Sequence, residues 1–85
     1  MKRSLRDQVE KIPEGFSLGV YRKKKYGITK QIFNQGKSFK IFGKDLEGTD
    51  MISLNFYITK KQDLLRPCEM PEQKVIAFLQ EVVII

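Results

Sequence analysis

The stretch Ile52-Ser53-Leu54-Asn55-Phe56-Tyr57-Ile58 decides how this chain is read. Ile52, Leu54, Phe56 and Ile58 share one parity, and Ser53, Asn55 and Tyr57 share the other. Side chains of a strand alternate between faces, so this pattern describes a strand with one face in a core and one in water. Antiparallel sheets are the usual home of such strands.

Working back from it, Phe39 and Ile41 share a parity, as do Tyr26, Ile28 and Ile32, and as do Phe16, Leu18 and Val20. Between these runs lie Arg22-Lys23-Lys24-Lys25, Asn34-Gln35-Gly36-Lys37 and Leu46-Glu47-Gly48-Thr49, all turn-like, the last two with glycine third. Working forward, Lys60-Lys61-Gln62-Asp63 is a polar turn, and Leu64–Met70 is a weaker run that Pro67 demotes to an edge strand or an irregular extension. Connections this short force antiparallel neighbours, because parallel strands need long crossovers.

Helices flank the strands. Ser4 is a fitting N-cap with Asp7 three residues on, and Leu5, Val9 and Ile12 form one helical face before Pro13 and Gly15. Pro71 suits a helix start and Glu72 the positive end of the helix dipole. Val75, Leu79, Val82 and Val83 make the stripe, widened by Ile76 and Phe78. The expected fold is α+β: one domain over residues 1–85, with an antiparallel four- to five-stranded meander sheet. A short N-terminal helix sits at its edge and a C-terminal helix packs on one face. The expected core is Leu5, Val9, Phe16, Leu18, Val20, Ile28, Ile41, Ile52, Leu54, Phe56, Ile58, Val75, Leu79 and Val82. The apolar end Val82-Val83-Ile84-Ile85 is open to three readings: the end of the helix stripe, a short edge strand, or a contact with another subunit.

Composition narrows the chemistry. There is no histidine and one cysteine, Cys68, so typical zinc sites and Cys–His or Ser–His catalysis are excluded. No phosphate-binding glycine motif occurs. Carboxylate pairs such as Asp45 with Asp50, or Glu47 with Asp50, flank Gly48 and read as turn residues bonding their own backbone. Cys68 lies between Pro67 and Glu69, and it reads as a small buried residue where sheet meets helix. A lone thiol, with no disulfide available, favours a reducing compartment. No run approaches a membrane span, and Met1–Glu14 does not resemble a signal peptide, so a cytoplasmic protein without a membrane partner is expected. No cofactor or metal is expected.

The net charge of +6 is uneven. Residues 20–44 hold eight basic groups and no acidic one: Arg22, Lys23, Lys24, Lys25, Lys30, Lys37, Lys40 and Lys44. If Tyr26, Ile28 and Ile32 face the helices, the opposite parity carries Lys25, Thr29, Gln31 and Phe33. The next strands then add Lys40, Phe42 and Lys44, and Met51, Ser53, Asn55, Tyr57 and Thr59. An open face with Phe33, Phe42 and Tyr57 among lysines suits single-stranded nucleic acid or another polyanion, since rings stack on bases while lysines follow phosphates. The ordinary reading is that lysines on solvated strand faces discourage edge-to-edge aggregation. A competing class is a homodimer or protein-interaction module using that face or the apolar C-terminus.

The segments Phe39–Asp50, Ile52–Tyr57, Leu65–Pro71 and Lys74–Phe78 resemble small bacterial proteins of about this length and unsettled function, some labelled methionine sulfoxide reductase. The resemblance implies a bacterial source. The label implies a catalytic cysteine, for which Cys68 is the one candidate. The residues themselves favour a non-enzymatic binding module over a thiol-dependent redox protein.

Overall fold

A computed structural model describes residues 4–85. Helix α1 (Leu5–Glu10) precedes strands β1 (Gly15–Tyr21), β2 (Lys24–Phe33), β3 (Ser38–Asp45), β4 (Met51–Ile58) and β5 (Asp63–Pro67). Helix α2 (Glu72–Glu81) and strand β6 (Val83–Ile84) follow. The sheet runs β5-β4-β3-β2-β1-β6, with every neighbouring pair antiparallel. The first five strands form the expected meander. The sixth arises because α2 crosses the sheet and returns the chain to the far edge, where Val83 and Ile84 pair with Val20 and Gly19. The apolar C-terminus is therefore an edge strand. Val82 leaves the helix in an extended conformation rather than continuing its stripe.

Local signals account for both helices. Ser4 Oγ accepts the Asp7 N–H at 3.2 Å, satisfying one of the donors that a helix start leaves unpaired. The helix ends at Glu10, with Ile12 buried just beyond it. At α2, Pro71 is the N-cap residue and Val75, Phe78 and Leu79 are buried.

The cross-strand register shows which residues share a face. Tyr26, Ile28, Lys30 and Ile32 stand opposite Asp45, Gly43, Ile41 and Phe39 on β3. Those last three in turn oppose Ile52, Leu54 and Phe56 on β4. Leu65 and Pro67 extend the same face onto β5. Both helices pack here, and the core joins Val9 and Ile12 to these strand residues and to Val75, Phe78, Leu79 and Val82. Tyr21, Tyr26 and Phe78 meet edge-on with centroids 5.1–5.7 Å apart, a favourable arrangement of aromatic quadrupoles. The Phe78 ring fits because Gly43 beneath it has no side chain; a Cβ there would sit 3.2 Å from the ring.

The first strand corrects the expected core. Ser17, Gly19 and Tyr21 face the helices, while Phe16, Leu18 and Val20 face the other way. Phe16 is 70% exposed, and Leu18 and Val20 are half-buried. The cause is steric as well as topological. A Cβ on Gly19 would lie 2.9 Å from both Ile28 Cδ1 and Val82 Cγ2, so the inner space over β1 is filled from β2 and the end of α2.

Candidate nucleic-acid interface

No described helix covers the outer face of the sheet, and the register arranges its side chains in rows. Two residues along a strand advance about 7 Å, which sets the row spacing. One row runs Leu64, Tyr57, Ser38, Phe33. The next runs Arg66, Asn55, Lys40, Gln31. A third runs Ser53, Phe42, Thr29, Phe16. A fourth runs Met51, Lys44, Gly27, Leu18, with Lys25 and Val20 beyond it. Aromatic rows thus alternate with cationic ones. The strand residues of this face include Lys25, Lys40, Lys44 and Arg66, and no acidic residue. The strand acids point inward, as Asp45 and Asp63 do at the ends of their strands.

The residues singled out from sequence divide into groups. Lys25, Lys40 and Lys44 stand exposed on the outer face with Phe33 and Tyr57, which are 49% and 37% exposed, and with half-buried Phe42. Lys37 closes the β2–β3 turn, exposed, its N–H bonded to the Phe33 carbonyl and its own carbonyl accepting the Ile58 N–H. Lys23 lies at the apex of the β1–β2 hairpin, exposed.

Three of the cations belong to the helix side. Lys30 is 4% exposed, and its ammonium donates to the carbonyls of Val9 and Ile12 at 2.8 Å each. It caps the C-terminal end of α1, where carbonyls lack intrahelical partners and a cation is favoured. Burial lowers its pKa. It cannot reach a ligand on the outer face. Arg22 pairs with Glu81 at 3.2 Å and lies 5.0 Å over the Tyr21 ring. Lys24 lies 3.5 Å from the buried Asp45 carboxylate.

Among the aromatic and cationic residues of the face, sequence reading missed Phe16 and Arg66. Phe16 was hidden because its apolar parity looked like a core pattern. Arg66 was hidden by the proline that weakened its strand. Thr59 lies beyond the end of β4, where its hydroxyl and N–H both bond Gln62.

The helix side holds a cleft of about 520 Å³ lined by Tyr21, Arg22, Lys24, Tyr26, Asp50 and Lys74, among others. Asp50 accepts the Tyr26 hydroxyl at 2.9 Å and the Lys74 ammonium at 2.6 Å. The Lys74 hydrogen bond holds the Asp50 carboxyl below its ordinary value. Burial, then the Asp50 hydrogen bond, pushes the Tyr26 phenol well above its own. This phenol therefore remains a protonated donor. The three cations of the cleft each face an acid, so the arrangement works as a clasp between the hairpins and α2. Asp45 serves the neighbouring turn, accepting the Glu47 N–H at 2.9 Å.

Cys68 is half-buried beside the sheet, 3.5 Å from the Asn55 amide nitrogen. No helix of the described residues is long and apolar enough to cross a membrane. No family model, curated protein or solved structure matches the chain.

Proposed function

We propose that this protein is a non-enzymatic module that binds single-stranded nucleic acid on the open face of its sheet. One observation carries the reading: rows of aromatic and cationic side chains alternate across that face without an acidic residue among its strand positions. An extended strand of nucleic acid presents the complementary series, with planar bases joined by phosphates. Phe33, Phe42 and Tyr57 supply stacking surfaces, and Lys25, Lys40 and Lys44 follow the backbone. Stacking is tolerant of sequence, because every base has a π-face, so binding with little base preference is expected. Duplex would bind less well, since its bases are already stacked and unavailable.

The test is titration of labelled oligothymidylate by fluorescence anisotropy at several salt concentrations. Affinity should fall with salt by about 0.7 in log K per log unit of salt for each phosphate contacted. Lys40→Glu should weaken binding strongly, and Phe42→Ala should weaken it without altering the salt slope. Absence of binding to single-stranded DNA and RNA even at low salt would end the proposal. The competing reading is a contact between two copies, motivated by exposed Phe16, Met51 and Val83. It sets like charges against each other across the same face, and it predicts a dimer in sedimentation whose stability changes little with salt.

A further inference from the structure

Phe16 is the large apolar residue most at odds with a purely structural role. It is 70% exposed on an ordered strand, with its Cα opposite that of Thr29. Its ring does not stand away from the sheet. A Cβ built on Gly27 would lie 3.2 Å from Phe16 Cε1 and 3.3 Å from Cζ, with Leu46 Cδ2 also at 3.3 Å. The ring therefore covers, together with Leu46, the strip of backbone that Gly27 leaves bare, while most of the Phe16 surface meets solvent. Lys44 is the cross-strand neighbour of Gly27, and Lys25 lies two residues along β2 from it, with its Cα opposite Val20 on β1. An aromatic surface thus shares its patch of the outer face with two cationic strand positions.

We propose that Phe16 is a base-stacking residue, extending the nucleic-acid site across β1 to a further nucleotide whose flanking phosphates meet Lys25 and Lys44. This rests on the reading of the open face as a nucleic-acid site. Charge decides between occupants of the patch. A second copy would bring Lys25 and Lys44 against their own like, whereas a nucleotide brings the opposite charge beside a planar ring. Gly27 has a specific part in this arrangement: any side chain there would press on the ring and lift it from the sheet.

The test compares wild-type protein, Phe16→Ala, Phe16→Tyr and Lys44→Ala on oligothymidylate of about 16 nucleotides, the longest stretch that a single OB-fold domain typically covers. A second oligonucleotide carries a fluorescent adenine analogue quenched by stacking. Phe16→Ala should weaken binding roughly 5- to 150-fold, the range that loss of one stacked base gives. It should leave the salt slope unchanged and reduce the quenching. Phe16→Tyr should restore both affinity and quenching, because it keeps the ring. Lys44→Ala should instead lower the salt slope by about 0.7. If wild type binds and Phe16→Ala binds equally well, this inference is overturned while the proposed function stands. If wild type binds no single strand, both fall. If Phe16→Ala changes sedimentation but not affinity, the ring belongs to a contact between copies, and the inference is again overturned.

Discussion

Strands β1 and β4 carry nearly the same pattern and do opposite things with it. In β4, Ile52, Leu54 and Phe56 alternate with Ser53, Asn55 and Tyr57, and the apolar set is buried. In β1, Phe16, Leu18 and Val20 alternate with Ser17 and Gly19, and the apolar set faces outward. Hydropathy alternation shows that a strand has two unlike faces; it does not show which one meets the core. That choice is made by register, because a slip of one residue exchanges every side chain between faces.

Register was partly legible in the hairpin itself. The Arg22–Lys25 turn, flanked by Tyr21 and Tyr26, leaves an even number of residues between them. So does the two-residue turn that the structure contains, with Tyr21 opposite Lys24. Either way, odd-numbered residues of β1 share a face with even-numbered residues of β2. Once Tyr26 and Ile28 are assigned inward, Gly19 and Tyr21 must follow them. The open face on β2, β3 and β4 was readable because those strands carry their branched aliphatic residues, Ile28, Ile32, Ile41, Ile52, Leu54 and Ile58, on the inner parity alone. The edge strand β6 was one of three open readings of Val82–Ile85, and the sequence could not choose among them, because the end of α2 is fixed by pairing with β1 rather than by a stop signal. Nor was the place of Lys30 readable: its role depends on the C-terminal end of α1 arriving over the sheet, a long-range event with no local mark.

The sharpest way to break this comparison is to truncate one ring from each strand. Phe56→Ala should cost about 3–5 kcal/mol, since it empties a fully buried site. Phe16→Ala should stay within about 0.5 kcal/mol, as exposed substitutions usually do. Urea denaturation of the two variants measures both. Equal losses would mean that the outer ring is part of the core after all.

A second test fills the space that β1 leaves for its neighbours. Gly19→Val should destabilise by about 1–3 kcal/mol, the range for overpacking, because its Cβ meets Ile28, Val82 and the Val83 carbonyl. Loss of β6 should accompany it, visible as faster amide exchange at Ile85, whose N–H bonds the Leu18 carbonyl. An unchanged melting curve would show that α2 can move aside.

The turn that sets the register offers a gain rather than a loss. Arg22 and Lys23 both have positive φ, 50° and 69°, where hairpins of this kind prefer Asn-Gly. Lys23→Gly removes the steric cost of a side chain in that region and should stabilise by about 0.5–1 kcal/mol. A rise in Tm is the expected reading. A fall would indicate that the lysine makes a compensating contact.

The smallest expected effect separates the anchors that tie the two strands to α2. Next to β1, Arg22 and Glu81 are both largely exposed, and such pairs contribute little. At the start of β4, Asp50 joins Lys74 and Tyr26, yet it too is partly solvated, so Asp50→Asn should cost under about 1 kcal/mol at neutral pH. The pH dependence is more telling than the size. The Asp50 carboxyl is held below its unfolded value, chiefly by Lys74. The unfolded chain therefore takes up its proton first on acidification, and the stabilisation is complete above about pH 4 and is lost as pH falls through the lower folded value. Asp63, lowered by Arg6, titrates in the same direction and remains in the variant. Asp50→Asn should therefore flatten the acid limb of the stability curve without abolishing it. If the limb stays as steep in Asp50→Asn as in wild type, the tie between Asp50 and Lys74 does not hold α2 to the start of β4 through charge.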